Sequence, residues 1–392
     1  MVGVTKLLCG SNHFGDRLRY RHGAKEEKSG VGPGHGPVVV WNCTQSCNLK
    51  CTHCYASAEN KRYGDELTTE EGKNLIDDLK AFRVPVLLFS GGEPFMREDL
   101  LELTNYASAC NIRATISTNG TCIDKSCARD LKKAGVGYVG ISLDGIGEKH
   151  DRFRGVKGAF DRTLEGIRNC LEMGQKVGLR FTLNRHNYDQ LRDVFYLIQE
   201  EKIPRVCFYH LVYTGRGSEM IEEDVSHEET RAAMDLIADQ AMAVGEAVEM
   251  LTVDNHADAV YLYLQSLKRY PHLSEEILKL IGMNGGNRSG MAFGAIDAKG
   301  NVHPDQFTSQ YTFGNVREKP FGHIWTSTTH PIMAGLKDRK KLLKGRCGQC
   351  NWLSLCNGNF RARAEAATGD FWASDPACYL TDEEIGLKGK EQ

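Results

Sequence analysis

No stretch of this 392-residue sequence approaches the roughly 18 uninterrupted apolar residues that a membrane helix requires. A membrane span is therefore not expected. The opening Met1–Gly10 has no long apolar core behind a basic flank, which argues against a secretory signal. The expected compartment is a reducing cytoplasm. Charge of one sign is missing too: 49 Lys+Arg against 51 Asp+Glu leave a net charge of −2. Bulk positive charge therefore cannot drive nucleic-acid binding. Hydrophobic residues at 41% and charged residues at 26% exclude a disordered chain. What is present in unusual number is cysteine, at 14. In so long a chain this is not a small disulfide-stapled domain. In a reducing compartment the thiols read as metal ligands or as packed core residues.

Residues 21–37, rich in Gly, Lys and Glu, read as a flexible lead-in, and Gly386–Gln392 as a fraying tail. From Pro37 a rhythm sets in. Short apolar runs at Val38–Asn42, Val86–Ser90, Ile112–Ser117, Tyr138–Leu143, Val177–Leu183 and Val206–Leu211 alternate with helix-like stretches. Those are Thr68–Phe82, with Leu75, Ile76 and Leu79 on one face, and Glu98–Cys110, Asp124–Ala134, Ala159–Met173 and Tyr188–Glu200. Repeated βα units imply an α/β fold with a parallel sheet. Six of them, not eight, predict an open, partial (β/α)6 TIM-like barrel. Chemistry in such folds sits at the C-terminal strand ends. The expected division is an N-terminal extension over 1–36, a barrel over 37–250 and a C-terminal domain over 251–392.

Polar, Gly-punctuated loops follow these strands. After the first comes Cys43-Thr-Gln-Ser-Cys47-Asn-Leu-Lys-Cys51-Thr-His-Cys54-Tyr55, and after the second Ser90-Gly91-Gly92-Glu93-Pro94. Then come Ser117-Thr118-Asn119-Gly120 and Ser142-Leu143-Asp144-Gly145. The fifth strand carries Arg180, and the sixth ends in His210-Leu-Val-Tyr213-Thr-Gly215-Arg216-Gly217. Together they predict one functional rim.

Cys47, Cys51 and Cys54, spaced C-x3-C-x2-C, suit an iron–sulfur cluster or zinc. Three thiolates on a four-iron cubane leave one iron open. A zinc site would need His53, whose neighbour Cys54 makes convergence on one ion difficult. Cys43 is either a fourth ligand or packed. The C-terminal region holds Cys347-x2-Cys350-x5-Cys356, with Cys378 beyond. These four would close a second cluster or a structural zinc knot. The remaining cysteines, Cys9, Cys43, Cys110, Cys122, Cys127, Cys170 and Cys207, read as small buried apolar residues.

The C-x3-C-x2-C loop followed by Tyr55, with Gly91-Gly92-Glu93-Pro94 after the next strand, resembles the radical S-adenosylmethionine (SAM) superfamily. The resemblance implies that the open iron is chelated by SAM. One electron then cleaves the sulfonium to a 5′-deoxyadenosyl radical that abstracts hydrogen from substrate. It implies roles in turn: Gly91 and Gly92 for close backbone approach, Glu93 for the SAM amino group, and Tyr55 beside the adenine. Ser117, Asn119 and Ser142 would meet the ribose hydroxyls, with Asp144 doing the same or capping a turn. Arg180 or Arg154 would pair with the SAM carboxylate, although Arg154 also reads as a surface-loop residue.

The C-terminal cysteines resemble the SPASM/twitch extension of peptide- and porphyrin-modifying members, reduced here to one auxiliary cluster. Two [4Fe-4S] clusters and SAM are thus the expected cofactors. Over nearly the full length the sequence is similar to the haem-biosynthesis branch. The carrying segments include Met1–Tyr20, Tyr209–Gly217, Asn284–Gly290, Gly300–Asp305, Phe313–Val316 and Cys347–Asn359. That branch implies removal of the two acetate side chains of 12,18-didecarboxysirohaem. The alternatives are propionate processing in nitrite-reductase haem synthesis, or SPASM-type peptide maturation. The last often needs an N-terminal peptide-binding domain larger than residues 1–36. The implied partners are a tetrapyrrole and a low-potential electron donor such as ferredoxin or flavodoxin. Arg216 and Arg288, in Gly-rich loops, read as carboxylate anchors. His210, Tyr213 and His303 read as contacts to the macrocycle or as hydrogen-bonded structural residues, and Asp305 as a turn residue.

Overall fold

The computed structural model describes residues 1–20 and 36–387. Residues 21–35 of the expected lead-in, and 388–392 of the expected frayed tail, lie outside the described residues.

The strands in chain order are β1 (Val2–Gly3), β2 (Val38–Thr44), β3 (Val86–Gly91), β4 (Arg113–Thr118), β5 (Tyr138–Ser142), β6 (Val177–Leu183), β7 (Arg205–His210), β8 (Glu249–Val253), β9 (Phe293–Ile296) and β10 (Val302–His303). They form one sheet of order β1-β8-β7-β6-β5-β4-β3-β2-β9-β10. The six strands expected from the sequence are all present as β2 to β7, paired in parallel. Two further parallel strands extend the sheet: β8 beside β7 and β9 beside β2. The sheet stays open. Short antiparallel strands, β1 on β8 and β10 on β9, cover the edges that a long parallel strand would otherwise leave unpaired. The proposed boundary at 250 falls inside β8, so the division into 37–250 and 251–392 remains a proposal about units that share one sheet.

Along β2 to β7 one face packs into the core, while the other turns toward the barrel interior through residues such as Val38, Leu88, Arg113 and Arg180. Trp41, Phe89, Ile116, Ile141, Phe181 and Phe208 are each no more than 2% exposed, and burying one such side chain contributes about 1.5–3 kcal/mol. The first long helix, Thr69–Ala81, buries Leu75, Ile76 and Leu79, the face predicted from spacing. It starts at a capping box: Glu71 N donates to Thr68 Oγ1 at 3.3 Å, and Thr68 N donates to Glu71 Oε2 at 2.8 Å. That same Glu71 carboxylate receives Arg317 at 2.6 Å, so the helix start also ties the C-terminal region to the barrel. Among the described residues no helix is long and apolar enough to cross a membrane.

Candidate active site

The cysteine loop leaves β2 at a register shift between Asn42 and Thr44 and is held by hydrogen bonds to its backbone from four sides. Cys47 N donates to the Glu59 carbonyl at 3.0 Å. Lys50 N and Thr52 N donate to the carbonyls of Arg154 and Phe153 at 3.1 and 3.0 Å. Gly92 N and Glu93 N donate to the Thr44 and Ser46 carbonyls at 2.7 and 2.8 Å. From the fourth side Arg216 Nε donates to the Cys51 carbonyl at 2.8 Å, and its Nη1 to Ala58 at 3.0 Å.

The glycine pair thus has a structural partner. Gly91 sits at φ 124°, and a Cβ on either Gly91 or Gly92 would strike the carbonyls of Thr44 or Ser46. The close approach these glycines permit is to the cysteine loop's own backbone.

Cys47 and Cys51 are each 7% exposed and Cys54 is half-buried. Leu49 N donates to Cys47 Sγ at 3.4 Å, and Arg154 Nη1 to Cys51 Sγ at 3.4 Å. Burial pushes the Cys47 thiol up to about 12, and Glu93, Cys51 and Cys54 push the same way. Burial raises the Cys51 thiol as well, so Cys47 and Cys51 sit where bare thiolate is disfavoured, a situation a bound cation reverses. His53 stacks on Phe153 at 4.6 Å and places Nε2 3.5 Å from Asp144. Cys43 is fully buried and donates to the Ser90 carbonyl at 3.4 Å, the packed alternative.

Behind the loop lie two buried acids. Glu93, 0% exposed, accepts from Thr118 Oγ1 and Asn119 N, both at 2.7 Å, and from Phe95 N at 3.2 Å. Burial raises its carboxyl to about 7. Asn119 in turn donates to Asn48 at 2.8 Å, back on the cysteine loop. Asp144, also fully buried, pairs with Arg154 and accepts from Thr182 N at 2.7 Å. Burial would raise the Asp144 carboxyl, but Arg154, His53 and the Thr182 amide outweigh it and hold it below the usual range. Arg154 is 6% exposed, not a surface-loop residue, and its Nε is buried without a partner. Tyr55 OH donates to Asn42 at 2.9 Å and lies 3.1 Å from Ser90 Oγ. Ser117 Oγ accepts from Arg180 at 2.8 Å. Ser142 ends β5 beside Arg180.

The four C-terminal cysteines, 347, 350, 356 and 378, line one narrow cavity with Trp352 and Leu380. Trp352 N donates to Cys350 Sγ at 3.3 Å, and burial pushes the Cys378 thiol up to about 12. Among the described residues no three Cys, His, Asp or Glu side chains converge as a one-ion site requires. Thiolates on a cubane each meet a different iron and stand wider apart.

A cavity of about 1030 Å³ runs through the barrel interior, from the N-terminal strand ends at Val86, Arg113, Val177 and Arg205 to Asp254 and Phe307 at the rim. Phe307 contacts Tyr55 edge-on at 5.1 Å, so the cavity abuts the cysteine loop. Of the residues expected to meet substrate, only Arg288 lines it. His210 Nε2 is engaged by Asp258 at 2.9 Å. Tyr213 OH donates to Asp224 at 2.7 Å. His303 sits between the Tyr311 carbonyl at 2.9 Å and Asp297 at 3.4 Å. Arg216 holds the cysteine loop, as above. Among the lining residues that the sequence did not mark as site residues are Arg113, Tyr138, Arg205, Tyr209 and Asp254. Each lies on or directly after a strand pointing inward, a placement that only register reveals.

Residues 41–198 match the radical SAM superfamily, and residues 291–351 match the SPASM iron-sulfur cluster-binding domain. The chain is 55% identical to a Fe-coproporphyrin III synthase of Methanosarcina barkeri, over 98% of this chain and 99% of that one. It is 43% identical to a pre-heme d1 synthase of Dinoroseobacter shibae, over 89% and 88%. Streptococcus suis SuiB bound to S-adenosylmethionine superposes with a TM-score of 0.70 at 21% identity, over 88% of this chain and 78% of that one; this establishes likeness of fold.

Proposed function

Because the chain belongs to the radical SAM superfamily, in its SPASM-bearing haem-biosynthesis branch, we propose that it removes the two acetate side chains of 12,18-didecarboxysirohaem to give Fe-coproporphyrin III. Its cofactors are SAM and two [4Fe-4S] clusters. Cys47, Cys51 and Cys54 would hold the SAM-binding cluster, and Cys347, Cys350, Cys356 and Cys378 the auxiliary one. When bound, the first cluster and SAM supply one-electron sulfonium cleavage and hence a carbon radical.

The chain's own residues position and shield that chemistry. Arg154 lies beside the cysteine sulfurs with its Nε unpartnered, which supports it as the partner of the SAM carboxylate. Arg180 opens into the cavity instead. Tyr55 stands between the cysteine loop and Phe307, fitting a place beside the adenine. Asn119, Ser117 and Ser142 fit ribose contacts at the same rim, and Glu93 supports the SAM side of the site by holding Thr118 and Asn119 in place. A low-potential donor such as ferredoxin or flavodoxin would deliver the electron, in the cytoplasm.

The observation that carries the reading is the large, cation-lined cavity that abuts the cysteine loop. The test is anaerobic turnover of 12,18-didecarboxysirohaem with SAM and reductant, followed by mass spectrometry. Loss of two acetate units with release of 5′-deoxyadenosine is expected. Unchanged tetrapyrrole would sink the reading, and processed propionates would move the chain to the nitrite-reductase branch.

A further inference from the structure

We propose that Arg113, Arg180 and Arg205 form a carboxylate-binding wall that holds the tetrapyrrole by its acidic side chains at the barrel floor and turns its reacting edge toward the cysteine loop. The proposal rests on the tetrapyrrole reading above.

The three arginines come from β4, β6 and β7 and all line the cavity. Arg113 and Arg205 begin their strands, so they sit at the pole opposite the cysteines; Arg180 is midway. Each guanidinium lies over an aromatic ring: Arg113 over Phe14 at 4.0 Å, Arg205 over Tyr138 at 4.5 Å and Arg180 over Tyr209 at 5.8 Å. Stacking of this kind orients the planar fork; Arg113 Nη2 donates to the Gly137 carbonyl at 2.6 Å and Arg180 Nη1 to Ser117 at 2.8 Å, and the remaining N–H groups are within a carboxylate's reach.

Room for them is made by glycine. A Cβ on Gly137 would lie 2.7 Å from Arg113 Cζ, and one on Gly178 would lie 2.9 Å from Arg205 Cβ. A Cβ on Gly140 would collide with the Arg180 Nε. None of these glycines has a positive φ. Gly140 and Gly178 lie inside β5 and β6, and Gly137 directly precedes β5. Strand-interior glycine is unfavourable on its own, so an inner wall with two of them and a third at its edge is shaped around the arginines.

Charge is left unbalanced. Among the described residues neither Arg113 nor Arg180 has a carboxylate partner. Arg205 reaches Glu249 at 3.5 Å, and Arg19 shares that same carboxylate. Arg180 Nε and Arg205 Nε are buried without a hydrogen-bond partner. Unpaired cations in a low-dielectric cavity are costly. Carboxylates from a ligand would remove that cost, and a multi-carboxylate macrocycle brings several at once. Held from the floor, the ring's opposite edge points to the rim, where Phe307 and Tyr55 meet.

The test is an absorbance titration of the anaerobic holoenzyme, without reductant, using Fe-coproporphyrin III and its tetramethyl ester. The acid should bind about tenfold or more tighter than the ester, because only the acid offers charged acceptors. Arg113→Gln and Arg205→Gln should each bring the acid down toward the ester and leave ester binding and iron content unchanged. Arg113→Lys and Arg205→Lys keep the charge and should retain part of the preference, which guards against loss of fold in the glutamine variants. A wild-type acid-to-ester ratio in the glutamine variants, or no preference in the wild type, overturns the wall while leaving the tetrapyrrole reading intact. Failure of wild type to bind either porphyrin, together with no turnover of didecarboxysirohaem, overturns both.

Discussion

The Arg154 guanidinium reaches Cys51 Sγ at 3.4 Å while its other terminal nitrogen pairs with Asp144. One buried cation therefore couples the loop after β2 to the loop after β5. The short helix Glu148–Arg154 ends at Gly155, φ 71°. A Cβ there would lie 2.6 Å from the Lys50 carbonyl, so this close docking of helix end onto cysteine loop depends on glycine.

Replacing Arg154 by Gln strands Asp144 as an unpaired buried charge, which should cost about 3–5 kcal/mol of stability. Iron retention should fall with it. Urea unfolding and iron assay of the reconstituted protein check both, with Arg154→Lys recovering part. Unchanged stability and iron would remove Arg154 from the site.

Gly92→Ala places a Cβ against the Ser46 carbonyl, and backbone on both sides leaves nothing flexible to move. A destabilisation of about 1–3 kcal/mol is expected, with the first cluster assembling poorly. A full iron complement in this variant would show that the loop tolerates displacement.

Anaerobic reconstitution should load about eight irons per chain, and about four once Cys47, Cys51 and Cys54 are replaced by Ala. Cys347→Ala should lower iron without abolishing SAM cleavage. Zinc in place of iron in the wild type would refute both ligand sets.

Glu93 supplies a pH signature. Burial raises its carboxyl from 4.5 to about 7, against the opposing hydrogen bonds of Asn119, Thr118 and Phe95. Between those values the folded chain keeps a proton that the unfolded chain has released. Its contribution to stability is full below about 4.5 and falls as pH rises toward 7, with a limiting slope of about 1.4 kcal/mol per pH unit. Glu93→Gln stays neutral throughout and should flatten that slope in urea titrations across the window. The same slope in the variant would assign the effect elsewhere.

Arg363 and Asp375, each 0% exposed, pair at 2.9 Å. Arg363 also donates to the carbonyls of Leu211 at 3.1 Å and Asp254 at 2.5 Å, fastening the C-terminal region to the ends of β7 and β8. Arg363→Met should cost about 3–5 kcal/mol, and adding Asp375→Leu should restore only part of it: the uncompensated charge is gone, but Phe360 N and Ala377 N lose the acceptor that Asp375 gave them. A single variant as stable as wild type would contradict this fastening role.

Local chemistry was legible in the sequence. The spacing of Cys47, Cys51 and Cys54, the loops after β3 to β5 and the cysteines from 347 to 378 are all short-range patterns, and the structure gathers each as a group. Side-chain direction was not legible. Arg216 sits in a Gly-rich loop that suits an anion, but its guanidinium closes on the carbonyls of Cys51 and Ala58. His210, Tyr213 and His303 each find an acid or a carbonyl that no spacing foretells.

By itself, then, the sequence determined the α/β rhythm, the two cysteine sets and the rim loops, because periodicity and ligand spacing act over a few residues. Tertiary structure alone decided what lines the cavity. Arg113, Arg180 and Arg205 are far apart in the chain, and they become one wall only because parallel register and the glycines facing them aim three guanidiniums into the same interior.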